Sequence, residues 1–301
     1  MKVLNLEKTN MLGTHIVHTQ NNRIGVSPYN MLLFEVLTMV LSCLNWKKYE
    51  GPIKLYTDQP FYDYIKDLGL LWLWDEIDLE TLKTLPENVN YSTFWAYPKL
   101  YINSLQEGEF ANLDIDLYID GPIKKGDYDL LLSNIEICDN NTVYPPYHTI
   151  KKYSDKLNFK DFKDYASNVA LCVVKNKSFY REYLKVVNDF VIGNDLPTID
   201  GCYSSSLITF IEQRLLYSMA EYDNIKVEYQ IDGTYDSHIE DWLGDYETNG
   251  LTHLWGWKYI YRREERYDDR INLTSELKDE IFMNFPNEWN KIHHIFGRVS
   301  L

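Results

Sequence analysis

The sequence predicts an α/β fold in which a mixed sheet is flanked by helices. Short apolar segments that resemble strands alternate with segments of helical periodicity, which is the pattern of a mostly parallel sheet with helices on its faces. The apolar run NVALCVV, residues 168–174, is typical of a buried strand. Of 301 residues, 45% are hydrophobic and 25% charged, a composition that excludes disordered and fibrous proteins.

The alternation is clearest in the first half of the chain. Ser27 and Pro28 are typical of a helix start, and the apolar residues that follow recur at helical spacing to about Trp46. Gly69 is typical of the residue that ends a helix. The predicted order is a strand at 11–19, a helix from 27 to about 46, a strand at 53–58, a helix at 61–68, a strand with a turn at 71–79 and a helix at 93–106.

The second half continues with further strands and ends in helices. The predicted strands lie at 110–119, 129–137, 168–174 and, at an edge, 225–230, and the predicted helices at 178–191, about 207–219 and 275–296. No internal repeat or low-complexity linker interrupts the pattern. The simplest organisation is a single domain over residues 1–301, with 261–301 as a C-terminal helical extension.

The net charge of the protein and the length of its apolar runs limit the kinds of partner that it can bind. The formal net charge of −15 argues against binding to nucleic acid. The longest apolar run, residues 31–44, contains Glu35 and is shorter than a bilayer span, so we expect no integral membrane segment. The N-terminal residues lack the apolar core of a signal peptide. The four cysteines lie far apart and form no metal-finger spacing, so we expect reduced thiols in the cytoplasm.

Two aspartates stand out in the stretch FANLDIDLYI, residues 110–119. Asn112, Asp114 and Asp116 alternate with apolar residues, and this period-2 pattern predicts a strand that places both carboxylates on one face. Neighbouring carboxylates repel each other, and a divalent cation such as Mg²⁺ or Mn²⁺ removes the repulsion. Because the protein is rich in Asp and Glu, a purely structural role for the pair also remains open.

A second group of polar residues lies near the C-terminus. His253, Gly256 and Lys258 offer an imidazole ligand, a backbone that a ligand can approach closely and a cation for phosphate. The nearest cation before the aspartates is Lys99, on the predicted helix at 93–106. A lysine at such a position is either a surface residue or a partner of the carboxylates.

Three segments, FWAYPKLYINSL, ANLDIDLYI and HLWGWK, resemble in that order the GT-A glycosyltransferases. The likeness extends from about residue 12 to 260 and is strongest to the glycogenin and galactosyltransferase-like enzymes, in a bacterial branch. Two departures are visible. The spacing from Gly256 to Lys258 is one residue shorter than usual, and Ala170 occupies a position where glycine is common.

The resemblance implies a nucleotide-sugar transferase, with a UDP-sugar favoured as donor and retention at the transferred carbon. It implies Mn²⁺ or Mg²⁺ as cofactor, and a glycan, a lipid-linked molecule or a protein as acceptor. The implied metal ligands are Asp114, Asp116 and His253, and the implied catalytic residues are Glu212 and Gln213. The implied donor-binding residues are Thr19, Gln20, Thr57, Asp58, Lys99, Asn112, Asn168, Gly256 and Lys258.

Two other functions fit the same residues. One is a binding protein with the GT-A fold that no longer catalyses transfer. The other is a metal-dependent nucleotidyltransferase or hydrolase that uses the same aspartates. Phosphoryl transfer often uses two metal ions and additional carboxylates, and the sequence shows no clear third acidic residue on a neighbouring strand.

Overall fold

The computed structural model describes residues 10–19, 30–138, 144, 164–193, 204–236, 250–254 and 257–301. The strands are β1 Leu12–Val17, β2 Ile53–Thr57, β3 Glu76–Asp78, β4 Phe110–Leu113, β5 Leu117–Ile119, β6 Leu130–Ile137, β7 Tyr165–Val174, β8 Val227–Tyr229, β9 Thr234–Asp236 and β10 Leu251–His253. The helices are α1 Leu33–Tyr49, α2 Gln59–Asp67, α3 Tyr97–Leu105, α4 Lys177–Gly193, α5 Ser204–Thr209, α6 Leu215–Tyr222, α7 Trp257–Tyr261, α8 Tyr267–Asn284 and α9 Pro286–Ile292.

The main sheet is mixed, as predicted. Seven strands lie in the order β3-β2-β1-β4-β7-β6-β8, and β9 pairs with β6 beside β8. Strand β1 pairs in parallel with β2 and β4, whereas β7 runs antiparallel to both of its neighbours. The carboxyl ends of β2, β1 and β4 therefore meet at one edge, which is where ligands bind in open α/β sheets.

Helices cover both faces of the sheet. Helices α1, α2, α8 and α9 share one core with alternate residues of the strands, among them Ala111, Leu131 and Val173. Helices α3, α4 and α6 share a second core with the intervening strand residues, such as Phe110 and Cys172. Burial on both faces explains why the segment 168–174 is a continuous apolar run. The predicted α/β class and the helix-flanked sheet are confirmed.

The prediction of one strand over 110–119 is wrong. The structure divides the segment into β4 and β5, and residues 114–116 form a turn in which the Leu117 amide donates to the Asp114 carbonyl oxygen at 3.0 Å. The short strand β5 leaves the main sheet and pairs antiparallel with β10. The alternation that predicted a single strand arises from two apolar strands that flank a polar turn.

Other element bounds also differ from the prediction. Helix α3 begins at Tyr97 with Pro98 in its first turn, so the proline sets the start of the helix rather than lying inside it. The region 71–79 holds a 3₁₀ turn before the three-residue strand β3. The cap of α4 is Asn176 and not the predicted Ser178, because the Asn176 side-chain oxygen accepts from the Phe179 amide. Within the described residues, no helix combines the length and apolar character needed to cross a bilayer.

A close contact between β1 and α1 gives a test of the packing. A Cβ atom added to Gly13 would lie 2.4 Å from Nε1 of the fully buried Trp46, whose indole N–H donates to the Pro52 carbonyl oxygen. We expect Gly13→Ala to lower the free energy of unfolding by about 1–3 kcal/mol, because the rigid indole has to move. Urea unfolding measures the loss.

Gly108→Ala is the matched control for this substitution. Apart from Gly108 itself and its two chain neighbours, no atom of the described residues lies within 4 Å of a Cβ added at Gly108. Its free energy of unfolding should stay within about 0.5 kcal/mol of the wild-type value. Equal stability of the two variants would contradict the packing of Trp46 against Gly13.

Candidate active site

The Asp114–Asp116 turn lies at the carboxyl end of β4 and is held by β7. The Asp114 amide donates to the Ala170 carbonyl oxygen at 2.8 Å. This contact occurs where the β6–β7 register shifts, since Leu132 pairs with Cys172 but Asn134 pairs with Asn168. Residues 169–171 of β7 thus lie opposite the single residue 133. Such irregularities are common beside active sites, because they redirect backbone groups out of the ladder.

Side chains satisfy the backbone groups that this irregularity releases. The Asn168 side-chain oxygen accepts from the Ala170 amide at 3.1 Å, and the Ser133 hydroxyl accepts from the Leu171 amide at 2.8 Å. The irregular segment is therefore a fixed part of the fold, and it fixes the position of the Asp114 backbone.

Strand β10 brings His253 to the aspartates. His253 pairs with Leu117, the residue that directly follows the turn, and the Leu254 amide donates to the Asp116 carbonyl oxygen at 3.0 Å. The buried His253 Nε2 lies 3.7 Å from Asp116 Oδ1 and 4.0 Å from Asp114 Oδ2. It has no hydrogen-bond partner within the described part of the chain.

This arrangement fits a divalent cation. Two carboxylate oxygens and one imidazole nitrogen lie within 4.8 Å of one another. Two ligand atoms that share an ion at about 2.2 Å are at most about 4.4 Å apart, and the two distances from Nε2 satisfy that limit. A buried imidazole nitrogen without a hydrogen bond, directed at two carboxylates, matches the donor set of a Mn²⁺-like ion.

Two lysines neutralise the carboxylates. Lys99 on α3 places Nζ 2.7 Å from Asp114 Oδ1 and 2.7 Å from Glu212 Oε1, and its side chain is almost fully buried. Lys258 on α7 places Nζ 2.6 Å from Asp116 Oδ2, and its side chain is about one-third exposed. Lys99 is thus a partner of the carboxylates and not a surface lysine. We call Lys99, Asp114, Asp116, Glu212, His253 and Lys258 the charged cluster.

Contacts with α1 and α8 hold α7 in place. Arg262, the residue after α7, donates to both carboxylate oxygens of the buried Glu35 on α1, at 2.7–3.1 Å. Arg270 on α8 donates to the Tyr261 carbonyl oxygen at 2.6 Å. The position of Lys258 therefore depends on two arginines that lie outside the charged cluster.

Glu212 and Gln213 lie in a π-helical segment, Phe210–Arg214, inserted between α5 and α6. Segments of this kind are frequent at functional sites, because the wider turn changes the direction of the side chains. The Tyr183 hydroxyl donates to the Ile211 carbonyl oxygen inside the segment. The helix predicted at 207–219 is confirmed as helical, and the π-helical turn is an addition that the sequence pattern did not predict.

Burial and charge shift the pKa values in the charged cluster. Burial opposes ionisation of Asp116, but Lys258 and His253 outweigh it and hold the pKa of that carboxyl well below its usual range. Burial also opposes protonation of Lys99, but Asp114 and Glu212 outweigh it and raise the Lys99 pKa. The pKa of Glu212 is raised by burial and by Asp114, despite the opposing effect of Lys99. Lys99 therefore stays charged between two carboxylates.

Three of the residues predicted near the nucleoside, Thr19, Thr57 and Asp58, lie at the same edge of the sheet. The backbone amide and the hydroxyl of Thr19 both donate to Asp58 Oδ2, at 2.6 and 2.7 Å. Asp58 also caps α2 through the Phe61 amide, and the Thr57 hydroxyl donates to the Val17 carbonyl oxygen. These contacts tie the end of β1 to the end of β2, next to the end of β4.

The other predicted residues are placed less directly. Asn112 is fully buried and its amide donates to the Thr14 carbonyl oxygen, so it lies inside the sheet and not in the charged cluster. Gln20 and Gly256 lie outside the described residues. Asn168 and Gln213 belong to an adjoining polar network.

Sequence reasoning missed two members of that polar network, Glu136 and Tyr144. Glu136 Oε1 accepts from Asn168 Nδ2 at 2.6 Å, and the Tyr144 hydroxyl contacts both Glu136 Oε2 and Gln213 Oε1. The only signal for Glu136 was a charged residue inside the apolar strand segment 129–137. Tyr144 gave no signal, because its contact with Gln213 joins residues 69 positions apart in the sequence.

Two surface cavities formed by described residues lie elsewhere. A cavity of about 360 Å³ is lined by residues of α1, β5 and α8, including Asn45, Tyr118 and Glu280. A second, of about 330 Å³, lies at the amino end of β1, beside Lys124 and Lys175. Neither contains a residue of the charged cluster, which we favour as the functional site because its chemistry is specific.

Comparison with known protein families gives a match along most of the chain. A family model described as a family of unknown function (DUF6734) matches residues 17–295. No curated protein matches the sequence.

Several solved structures are similar at low identity. The inositol-1-phosphate CTP transferase from T. maritima is 12% identical with a TM-score of 0.35, covering 76% of this chain and 86% of that one. Mouse xyloside xylosyltransferase 1, in its apo form, is 8% identical with a TM-score of 0.39, covering 73% and 84%. The PaToxG glycosyltransferase is 11% identical with a TM-score of 0.42, covering 71% and 70%. These values are too low to transfer an activity to this chain.

The buried position of Lys99 makes a prediction about stability. Replacing it with methionine leaves Glu212 buried without its cation. We expect Lys99→Met to lower the free energy of unfolding by about 3–5 kcal/mol at pH 7, and the double variant Lys99→Met/Glu212→Gln to recover part of that loss. Urea unfolding of the wild-type chain, both variants and Glu212→Gln gives a double-mutant cycle, which measures the coupling between Lys99 and Glu212.

Lys54→Met is the control for this cycle. Lys54 also pairs with two carboxylates, but the nearer partner, Glu76, is exposed. We expect Lys54→Met to lower the free energy of unfolding by about 1 kcal/mol or less. If Lys99→Met were no more costly than Lys54→Met, the buried pairing with Glu212 would be contradicted.

Proposed function

The chain belongs to DUF6734, a family of unknown function, and we propose that it is a metal-dependent glycosyltransferase that moves a sugar from a nucleoside diphosphate sugar to an acceptor. A UDP-sugar is the favoured donor and Mn²⁺ the favoured metal. The observation that carries the proposal is the charged cluster, in which Asp114, Asp116 and His253 meet beside two lysines at the carboxyl edge of the sheet.

The charges of the cluster suit a diphosphate. A divalent ion held by the aspartates and His253 supplies a Lewis acid that draws the anionic diphosphate to an acidic protein. Lys258 is the cluster lysine with an exposed side chain, so its ammonium can turn from Asp116 to phosphate oxygens. Its charge stabilises the diphosphate as the bond to the sugar breaks.

Lys99 has a different role, because it is buried and bound on both sides. Its ammonium links Asp114 to Glu212 and so sets the distance between the diphosphate side of the site and the π-helical segment. Glu212 and Gln213, on that segment, face the transferred sugar in this proposal. Thr19, Thr57 and Asp58 form the adjoining wall for the nucleoside.

The engaged carboxylates favour a retaining reaction. An inverting enzyme needs a carboxylate base that takes the proton of the acceptor hydroxyl. In the charged cluster, Asp114 and Glu212 contact Lys99, and Asp116 contacts Lys258. The amide of Gln213 is neutral and cannot act as that base. The buried free thiols of Cys43 and Cys172 suit a reducing compartment, and a cytoplasmic location is part of the proposal.

Isothermal titration against UDP-, GDP- and CDP-sugars, with and without Mn²⁺, tests the proposal. We expect one donor sugar to bind only when the metal is present. Substitution of a residue that only supports a metal ligand typically weakens metal binding about 10- to 100-fold. Because Asp116 is itself a proposed ligand, we expect Asp116→Asn to weaken donor binding by more than this. Asp127→Asn is the matched control, because the Asp127 side chain is fully exposed on the loop before β6 and should leave binding unchanged.

The product distinguishes the competing functions. Release of nucleoside diphosphate together with transfer of the sugar supports the glycosyltransferase. Release of pyrophosphate from a nucleoside triphosphate, without sugar transfer, would assign the nucleotidyltransferase instead. Metal-dependent binding of a donor without any turnover would identify a binding protein. Absence of binding to every nucleotide would remove the case for Asp114, Asp116 and His253 as metal ligands.

A further inference from the structure

We propose that the cavity between α1, α8 and the β5–β10 ribbon, here called the polar cavity, is a second binding site that takes a neutral, polyhydroxylated sugar unit. Its volume of about 360 Å³ lies within the range of about 300–1,000 Å³ that is typical of small-molecule sites. None of its lining residues belongs to the charged cluster. The inference therefore goes beyond the proposed transfer reaction and does not depend on it.

Two helices form two walls of the polar cavity. Asn45, Lys48 and Tyr49 lie on α1 at the spacing of residues that share one helix face. Glu280 and Asn284 lie one turn apart on α8. Apolar residues of α1 and α8 pack in the same core, so this packing fixes the distance between the two walls.

The β5–β10 ribbon forms the third wall. Tyr118 on β5 pairs directly with Thr252 on β10, and both residues line the cavity. The Thr252 hydroxyl donates to Oδ2 of Asp120, a further lining residue, at 3.4 Å. Leu117 and His253 form the next pair, and because side chains alternate along a strand, this pair faces the opposite side of the ribbon. The ribbon therefore separates the polar cavity from the charged cluster.

The lining mixes hydrogen-bond donors and acceptors. Each lining residue carries a polar group: two carboxylates accept, one ammonium donates, and two amides and three hydroxyls do both. Such a lining does not suit an apolar ligand, because polar groups buried against it would lose their hydrogen bonds. A sugar unit carries several hydroxyl groups, each of which donates and accepts. It also has an apolar C–H surface, which the rings of Tyr49 and Tyr118 suit.

Asn45 shows that part of this lining is fixed before a ligand binds. It lies in the mostly apolar, buried part of α1 and is 3% exposed. A buried amide is costly unless it is hydrogen-bonded. Asn45 and Tyr118 both form side-chain hydrogen bonds with the Glu280 carboxyl group. These three residues thus hold one another in place, and groups that are already ordered lower the entropic cost of binding.

The charges around the polar cavity favour a neutral ligand over an ion. Burial and the charge of Asp120 raise the pKa of Glu280 to about 7, although Tyr118, Asn45 and Lys48 oppose the shift. Near neutral pH the Glu280 carboxyl group therefore occurs in both forms, and it can donate or accept. A divalent cation requires ionised oxygens and is repelled by Lys48, whereas an anion is repelled by Asp120. A neutral polyol meets neither repulsion.

NMR titration of the full chain with methyl glycosides of glucose, galactose, mannose, xylose and N-acetylglucosamine tests the inference. At pH 8, where Glu280 is mostly ionised, we expect at least one glycoside to bind and to shift the amide signals of Tyr118 and Thr252. Glu280→Gln should weaken this binding about 10-fold or more, because an ionised carboxylate forms stronger hydrogen bonds than an amide. Asn284→Trp should abolish it, because the indole occupies the cavity.

Asp279→Asn is the matched control. Asp279 is the exposed neighbour of Glu280 on α8 and does not line the cavity, so its replacement removes one negative charge and should leave glycoside binding unchanged. Thermal melts show whether each variant is folded. Asn284 is exposed, so Asn284→Trp keeps the test decisive even if Glu280→Gln does not fold. Unchanged binding in Asn284→Trp would overturn the inference.

Asp116→Asn separates the polar cavity from the charged cluster. We expect this variant to bind the glycoside as the wild-type chain does. Loss of glycoside binding in Asp116→Asn would place the sugar in the charged cluster and overturn the inference. Failure of every glycoside to bind would overturn it as well, and binding of Ca²⁺ that Glu280→Gln abolishes would then identify a cation site instead. The proposed function is decided separately by the titration with nucleotide sugars and Mn²⁺, so either idea can fail alone.

Discussion

Neutralisation of buried carboxylates is the constraint on which the site depends. Asp114, Asp116 and Glu212 lie close together in a protein of net charge −15, and each contacts a lysine within 2.7 Å. The buried Lys99 is the central partner because it holds two of the three carboxylates. Without these lysines the buried carboxylates would repel one another. The charged cluster is therefore both a part of the fold and a candidate for chemistry.

The backbone brings these side chains together from distant parts of the chain. The irregular segment of β7 presents the Ala170 carbonyl oxygen to Asp114, and the antiparallel pairing of β5 with β10 delivers His253. Helix α3 contributes Lys99, and the π-helical segment contributes Glu212. Each contribution comes from a point where a regular element ends or is interrupted. Regular strands and helices form the scaffold, and the interruptions supply the groups that can act.

Part of the fold and of the candidate site was predictable from sequence, because some of the patterns that determine them involve residues close together in the chain. The alternation of apolar segments predicts the α/β class, and the position of the aspartates after a β-like run predicts a site at the edge of the sheet. The turn between β4 and β5 was missed because Asn112, Asp114 and Asp116 alternate with apolar residues through it, as they would in a strand. Glu136 and Tyr144 were missed because the network links distant parts of the chain: Asn168 lies 32 residues from Glu136, and Gln213 lies 69 residues from Tyr144. Long-range pairing leaves no periodic signal, so a buried network of this kind emerges only from the folded chain.

The carboxylate of Glu35 joins two parts of the molecule in a cooperative unit. It accepts from the Leu32 amide at the start of α1, at 2.8 Å, and from the guanidinium of Arg262 just after α7. Among the described residues, detachment of α7 leaves this buried carboxylate with a backbone partner alone. Fraying of α1 and release of α7 are therefore energetically coupled. Amide hydrogen exchange in the first turn of α1 thereby reports on the element that carries Lys258. A ligand that engages Lys258 would slow exchange at a helix end that it does not touch.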